Sequence, residues 1–263
     1  MRKKLAVMLA LMALQAVAMA EPEDAISSDR PDFVDSADVV GRGVIQLEAG
    51  FAQDRNRDAG LKERSSSTPL LLRIGVSDNL ELRIETDGRM RYRADGGSSA
   101  DYVRERGYAD SALSMKWHVS EGEGAVPAIG IIGQLDLDTA SKAFRGDGVR
   151  PSVRITGEWD LGPGWSLGVM PGIMADRDER GRHFASGMFG ASLDREWNDR
   201  LHSFVELAAQ RIAKAHNGGT TASFDFGATY LLTKNLQVDV ALSRGLNHRT
   251  PDYSFTFGLS ARL

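Results

Sequence analysis

Residues 220–263 read TTASFDFGATYLLTKNLQVDVALSRGLNHRTPDYSFTFGLSARL, and this stretch contains three segments in which apolar and polar residues alternate. In the first segment, apolar residues occupy every second position: Ala222, Phe224, Phe226, Ala228 and Tyr230. The pattern returns from Leu236 to Leu242 and from Tyr253 to Leu263. Because successive side chains of a strand point to opposite faces, each segment predicts a strand with one apolar and one polar face. Such segments of about ten residues are typical of transmembrane β-barrels.

The same alternation occurs in nine further segments upstream, which gives twelve predicted strands. The first runs from Val44 to about Gln53, and the polar stretches Asp54 to Ser67 and Ala94 to Gly107 are predicted to be long loops. Long and short connections alternate along the whole chain. Bacterial outer-membrane barrels have an even number of strands, short periplasmic turns and longer outer loops. We therefore predict an all-β fold, a single antiparallel up-and-down transmembrane β-barrel of about twelve strands over residues 44–263.

The aromatic residues support this layout. All four tryptophans lie beside predicted short turns and on the apolar side of their strands, and so does one tyrosine. Tryptophan and tyrosine are enriched at membrane interfaces. Core tryptophans of a soluble β-protein would have no reason to share one end and one face. We predict a periplasmic aromatic girdle made of Trp117, Trp159, Trp165, Trp197 and Tyr230.

The first twenty residues have the composition of a secretory signal peptide. Arg2, Lys3 and Lys4 precede an apolar stretch, and Ala18-Met19-Ala20 gives a small-residue cleavage pattern. We expect cleavage before Glu21 and export. After residue 20 the sequence has no apolar run long enough for a membrane-spanning helix, so a membrane would be crossed by a closed barrel. The expected location is the outer membrane.

Composition excludes several kinds of function. The sequence of 263 residues contains no cysteine, which excludes disulfides, thiolate metal sites and a cysteine nucleophile. Loss of the three cations of residues 1–20, which contain no acid, changes the formal charge from −4 to −7. An acidic chain without bulk basic character is not expected to bind nucleic acid.

Candidate catalytic and metal-binding residues are lacking. The five histidines have no metal-ligand spacing, and no Gly-x-Ser-x-Gly motif is present. We expect no catalytic site, no metal and no cofactor. A barrel enzyme that acts on lipid is the least favoured alternative.

The polar faces of the predicted strands carry charges of both signs. Twelve strands enclose a narrow lumen, since eight are just filled by side chains and sixteen to eighteen leave a water channel. Such charges can line a solute path or pair across the lumen and close it, and the sequence favours neither. The candidate lumen-lining residues are Glu48, Arg73, Arg83, Glu85, Asp110, Lys116, Asp136, Arg154, Glu206, Asp225 and Asp239.

A polar leader, residues 21–43, is predicted on the periplasmic side, before the first strand. It contains the motif Asp29-Arg30-Pro31-Asp32-Phe33. The leader could fold into the periplasmic mouth and narrow the lumen, with Arg30 paired bidentately to a wall carboxylate such as Glu48 or Glu206. The alternative is a disordered tether, which is common for chain termini.

Three arginines, Arg89, Arg91 and Arg93, share one face where the third predicted strand leaves the outer surface. Such a set can contact an anion or lipopolysaccharide, or it can be a solvated extension of the barrel rim. The second interpretation is favoured.

Two parts of the sequence resemble a known family. They are the Asp-Arg-Pro-Asp-Phe motif followed by the Gln-Leu-Glu strand at residues 46–48, and the Leu-Arg-Ile-Gly-Val-Ser-Asp-Asn-Leu-Glu-Leu-Arg run at residues 72–83. These stretches resemble the outer-membrane family named for the meta-pathway of phenol degradation, whose members are described as candidate transporters. The resemblance covers essentially the whole chain after residue 20.

The resemblance implies an outer-membrane channel or transporter for small solutes, such as aromatic compounds or their breakdown products. The expected partners are outer-membrane lipid and a small organic solute, and the oligomeric state is left open. The alternative is a closed barrel with a structural or adhesive role.

Overall fold

The structure is a computed structural model that describes residues 25–58, 60–96, 102–177 and 181–263. The predicted signal peptide and residues 21–24 of the leader lie outside these ranges. Within the described part of the chain, no helix is both long and apolar enough to cross a membrane.

Fifteen β-segments form a single antiparallel sheet in the described ranges. They are β1 Ile45–Asp58, β2 Leu61–Ser67, β3 Leu70–Ser77, β4 Leu80–Thr86, β5 Arg89–Asp95, β6 Tyr102–Tyr108, β7 Ser111–Ser120, β8 Ala128–Asp136, β9 Arg150–Gly162, β10 Trp165–Arg177, β11 His183–Asn198, β12 Leu201–Ile212, β13 Thr221–Thr233, β14 Leu236–Gly245 and β15 Tyr253–Arg262. A short 3-10 turn, Ala215–Asn217, precedes β13. β15 pairs with β1, so the sheet closes into a barrel.

The fifteen segments make twelve barrel strands. β2 with β3, β4 with β5, and β6 with β7 are each one strand interrupted at residues 68–69, 87–88 and 109–110. The interruptions lie side by side, because Thr68 donates its backbone N–H to the Asp87 oxygen at 2.9 Å. Joining the three pairs reduces fifteen segments to twelve strands. The predicted fold class and strand number are confirmed.

The two faces of the wall have opposite chemistry. Outward apolar side chains are exposed, such as Val240 at 40%, whereas the inward Arg73 and Lys116 are fully buried at 0%. Charged residues are almost never fully buried in soluble proteins unless they are paired. Exposed apolar side chains over buried charges are what a lipid-facing barrel requires.

The structure corrects two predicted loops. The stretch Asp54–Ser67 is a hairpin, because β1 continues to Asp58 and β2 begins at Leu61. The stretch Ala94–Gly107 likewise includes most of β6. These segments lie beyond the apolar part of the wall, where neither face needs apolar residues. The apolar alternation used to find strands therefore disappears while the backbone pairing continues.

The described part of the leader, residues 25–43, runs inside the barrel. Ile26 N–H donates to the Lys234 oxygen at 2.8 Å, at a short turn of the periplasmic end. Ala37, further along, is completely buried. Gly43 N–H then donates to the Gly75 oxygen at 2.9 Å, near the start of β1. The chain thus enters from the periplasmic end, crosses the interior and returns to that end.

Candidate functional site

All the predicted lumen-lining residues lie on the inward face. Nine belong to the strands that line the interior beside the leader: Glu48, Arg73, Arg83, Glu85, Lys116, Arg154, Glu206, Asp225 and Asp239. Asp110 and Asp136 lie further out and line a cavity on the outer side of the leader.

Three wall cations converge on Asp29 of the leader. Lys116 Nζ donates to both carboxylate oxygens of Asp29, at 2.9 and 2.8 Å. Arg73 Nη1 lies 3.4 Å and Arg83 Nη2 3.1 Å from the same carboxylate. All four side chains are at most 2% exposed. Buried charges are costly unless they are paired, so Asp29 is needed to compensate these cations.

Wall carboxylates complete the compensation. Arg73 Nε and Nη2 donate to the two oxygens of Glu81 at 2.9 and 3.0 Å, and Nη1 donates to Glu48 at 3.2 Å. Arg83 Nη2 donates to Asp35 of the leader at 3.1 Å. The charges of both signs seen in the sequence are thus joined in one network that includes the leader.

Arg30 makes a bidentate pair, but with a carboxylate other than those predicted. Its Nε and Nη2 donate to the two oxygens of Asp239 at 3.3 and 3.2 Å. Nη2 also donates to Thr256 Oγ1 at 2.9 Å. The bond between Arg30 and Pro31 is cis. The fork-like hydrogen bonding follows from the chemistry of arginine, whereas the partner depends on how the leader is oriented within the closed wall.

The two carboxylates predicted as partners of Arg30 have other roles. Glu206 accepts the backbone N–H groups of Phe33, at 3.0 and 3.1 Å, and of Val34, at 2.8 Å. Glu48 accepts the Ser28 hydroxyl at 2.9 Å. The prediction that Arg30 pairs with Glu48 or Glu206 is therefore wrong. These carboxylates bind the backbone and a hydroxyl of the leader instead.

Inward glycines make room for the leader, which the sequence interpretation missed. A Cβ at Gly190 would lie 2.6 Å from Val34 Cγ2, and one at Gly168 would lie 3.0 Å from Val34 Cγ1. Cβ atoms at Gly50 and Gly258 would lie 2.5 and 2.4 Å from Arg30 atoms. The position of these glycines on the polar face of the strands was the available signal for a chain packed against them.

The leader separates two cavities within the barrel. The outer cavity has a volume of about 650 Å³. The inner cavity, on the periplasmic side of the leader, has a volume of about 590 Å³. Arg30, Asp32 and Asp35 line both of them. Leader residues therefore form the partition between the outer and the periplasmic part of the lumen.

The outer cavity has a mixed chemical lining. With the leader residues included, its lining contains eight acids, four arginines and apolar side chains such as Met90 and Phe144. The charged residues are Asp29, Asp32, Asp35, Glu48, Glu85, Asp87, Asp110, Asp136, Arg30, Arg83, Arg150 and Arg154. Arg83 Nε and Nη1 and Arg154 Nε are buried without a hydrogen-bond partner among the described residues. The same guanidinium groups form ion pairs with the leader, Arg83 Nη2 with Asp35 at 3.1 Å and Arg154 Nη1 with Asp35 at 3.6 Å.

Asp110 holds the loop that contains Phe144. It accepts the backbone N–H groups of Ala140 and Gly146, each at 2.8 Å, and Arg150 Nη2 at 3.3 Å. These three donors satisfy the Asp110 carboxylate with charge-assisted hydrogen bonds. The loop between β8 and β9 is thereby fixed over the outer cavity.

The periplasmic end carries the predicted aromatic side chains on the outside. Trp117, Trp165, Trp197 and Tyr230 are exposed outward beside short turns, and Trp159 donates its ring N–H to the Ala125 oxygen at 3.2 Å. In the described part of the chain no group of three or more His, Asp or Glu side chains could hold a metal ion.

The family model described as "Putative MetA-pathway of phenol degradation" matches residues 28–263, which include the leader motif and the entire barrel. The chain belongs to this family. The match begins in the part of the leader that enters the lumen, so the family pattern includes both leader and wall. No curated protein matches the sequence.

Solved structures share the barrel fold. An outer membrane channel from Pseudomonas putida F1 is 14% identical, covers 87% of this chain and 98% of its own, and has a TM-score of 0.64. The translocator domain of autotransporter NalP from Neisseria meningitidis is 11% identical over 85% and 90% of the two chains, with a TM-score of 0.56. The KdgM porin is 10% identical over 82% and 98%, with a TM-score of 0.51. The chain thus has the fold of outer-membrane β-barrels.

Proposed function

We propose that the protein is a narrow outer-membrane channel for small solutes, and that the leader determines the width of the path. The observation that carries this proposal is the pair of cavities, about 650 and 590 Å³, separated by leader residues. A solute that crosses the barrel must pass the partition at Arg30, Asp32 and Asp35. Family membership and the channels of the same fold support this role.

The solutes that fit best are small organic molecules with an ionised group. Arg83 and Arg154 contribute cationic side chains to the lining of the outer cavity, and Met90 and Phe144 add apolar surface there. A carboxylate on an aromatic or short-chain molecule matches both features. The description of the family, which names phenol degradation, favours aromatic compounds or their breakdown products.

Deletion of residues 21–40 tests the role of the leader in transport. In a planar bilayer the full-length protein should show a small single-channel conductance, and the deletion variant a larger one, because Arg30, Asp32 and Asp35 no longer separate the cavities. Heat-modifiability in gels provides the control that both proteins form barrels. An unchanged conductance would show that the leader does not limit the path.

A solute assay complements the electrical measurement. Liposomes with the full-length protein should swell faster in small aromatic carboxylates than in neutral sugars of similar mass. Growth on aromatic carbon sources with and without the gene tests the same solute class in cells. Equal swelling rates in both solutes would show that the arginines of the outer cavity do not select for carboxylates.

The buried network around Asp29 favours a second candidate, a closed barrel with a structural role. Its ion pairs are at most 2% exposed and join the leader to three strands. A closed barrel gives no conductance with the leader in place, whereas a channel does. The full-length protein in a planar bilayer therefore distinguishes the two candidates.

A further inference from the structure

The outer ends of four neighbouring strands carry a row of arginines. The register pairs Arg55 of β1 with Arg64 of β2, Arg64 with Arg93 of β5, and Arg93 with Arg104 of β6. All four side chains are exposed and point away from the barrel axis, on the same face as the lipid-facing Phe51. Because adjacent strands lie about 4.8 Å apart, the row places four cations within roughly 15 Å.

The rows on either side extend this arginine face, which we define as the outward face of β1, β2, β5 and β6 beyond the strand interruptions. They add exposed cations of the same orientation: Arg57, Lys62, Arg89, Arg91 and Arg106. Among the described residues, Asp95 is the one carboxylate on this face, and it lies 3.5 Å from Arg93.

The opposite face of the same strands has the opposite charge. It carries Asp54, Glu63 and Glu105, which alternate in sequence with the cations. A solvated rim needs no such sorting. Like charges directly across a sheet are destabilising. An excess of aligned arginines therefore indicates a surface that meets a polyanion.

Aromatic and apolar residues border the arginine face. Tyr253 pairs in register with Arg55, and the Arg244 guanidinium lies 4.4 Å from the Tyr253 ring centre. Below it, towards the periplasm, the outward wall exposes apolar side chains, such as Leu70 and Ile84. Tyrosine beside a charged belt and above an apolar wall is the arrangement found at a membrane interface.

The height of the face fits the outer surface of the membrane. From Leu47, near the periplasmic end of β1, the strand rises roughly 26 Å to Arg55 and roughly 33 Å to Arg57, which at a tilt of about 40° is about 20 and 25 Å across the membrane. The apolar band of an outer-membrane barrel is typically about 25 Å high, so these residues lie at its outer edge. The cations thus lie at the level of the outer-leaflet headgroups.

We propose that the arginine face binds the phosphorylated headgroup of an outer-leaflet glycolipid, the lipid A part of lipopolysaccharide, with its acyl chains along the apolar wall below. Arginine forms paired, charge-assisted hydrogen bonds with phosphate, and several arginines in a row accommodate a headgroup with more than one phosphate. The bound lipid relieves the repulsion within the row. A phospholipid with a single phosphate would neutralise less of the face.

The test compares the full-length protein with two charge-matched variants. Arg64→Gln/Arg93→Gln/Arg104→Gln removes three cations from the row. Arg42→Gln/Arg195→Gln/Arg200→Gln removes the same charge near the periplasmic turns. Binding of purified bisphosphorylated lipid A to each protein in nanodiscs is measured by native mass spectrometry or titration, after barrel formation is verified by heat-modifiability.

We expect the row variant to bind lipid A at least about tenfold more weakly, the periplasmic variant to bind like the unchanged protein, and added salt to weaken binding by the unchanged protein. Lipid A without phosphates, and phosphatidylglycerol, should bind the unchanged protein more weakly than bisphosphorylated lipid A. Equal binding by the two variants would overturn the proposal. Binding that does not depend on the phosphates would also overturn it, and a preference for phosphatidylglycerol would assign the face to phospholipid instead.

Discussion

The inward and outward faces of the same strands follow different rules. Val240 is exposed to lipid and needs only to be apolar, whereas its neighbour Asp239 is 2% exposed and holds Arg30 of the leader by two hydrogen bonds. Any apolar side chain satisfies the first position. The second depends on a group from a distant part of the chain. The local sequence is therefore enough to predict the outward face. The contacts of the inward face depend on the assembled barrel.

The largest effect is expected at the centre of the inward network. Asp29→Asn should weaken leader docking by about 3–5 kcal/mol, because three buried cations lose the carboxylate between them. The leader should then become cleavable by proteinase K while the barrel remains intact.

Asp32→Asn is the matched control in the same leader. The carboxylates of Glu206 and Asp194 lie near Asp32, so removal of its charge relieves repulsion and should not release the leader. Similar protease sensitivity of the two variants would contradict the special role of the Asp29 site.

The lipid-facing side is tested by Val240→Arg, which should cost about 2–4 kcal/mol of barrel stability for a position near the middle of the membrane. Thr229→Arg is the lumen control, since Thr229 lines the inner cavity and pairs in register with Asp239. The measurement is the free energy of unfolding in liposomes. Equal penalties at the two positions would mean that the faces are assigned wrongly.

The sequence predicts the features that arise because one face of each strand meets lipid and the other meets the lumen. The twelve strands and the outward aromatic residues follow from alternation, because lipid accepts apolar side chains wherever they occur along a strand. Alternation failed at Asp54–Ser67, where neither face of the β1–β2 hairpin is apolar. It could not identify Asp239 as the partner of Arg30, since that contact joins residues more than two hundred positions apart.

The same substitution, glycine to valine, can be compared on the inward and the outward face. Gly190→Val should place its side chain against Val34 and cost about 1–3 kcal/mol through overpacking. Gly133→Val adds the same atoms on the outward face, where a Cβ meets nothing within 4 Å, and should be close to neutral. Thermal unfolding of both variants measures the difference. A larger loss at Gly133 would contradict the packing of the leader against β11.

The smallest effect is expected from a single charge in the outer cavity. Arg154→Gln removes a cation from the lining and should shift the reversal potential modestly towards cation selectivity. Arg200→Gln, at an exposed periplasmic turn, is the control and should leave the potential unchanged. Identical potentials for both variants would argue against ion passage past Arg154.

An engineered disulfide between leader and wall is the most direct test of whether the leader lies fixed in the lumen. The chain has no cysteine of its own, so Val34→Cys with Gly190→Cys introduces a single pair. The Cβ at residue 190 would lie 2.6 Å from Val34 Cγ2, which brings the two Cβ atoms within disulfide reach. Val34→Cys with Gly133→Cys, on the outward face, is the unbridged control.

We predict that the first pair forms a disulfide in native outer membranes and the control pair does not, and that reduction leaves the conductance almost unchanged, because the leader occupies the lumen with or without the bond. Failure of the first pair to oxidise, or a conductance that increases severalfold on reduction, would contradict the account.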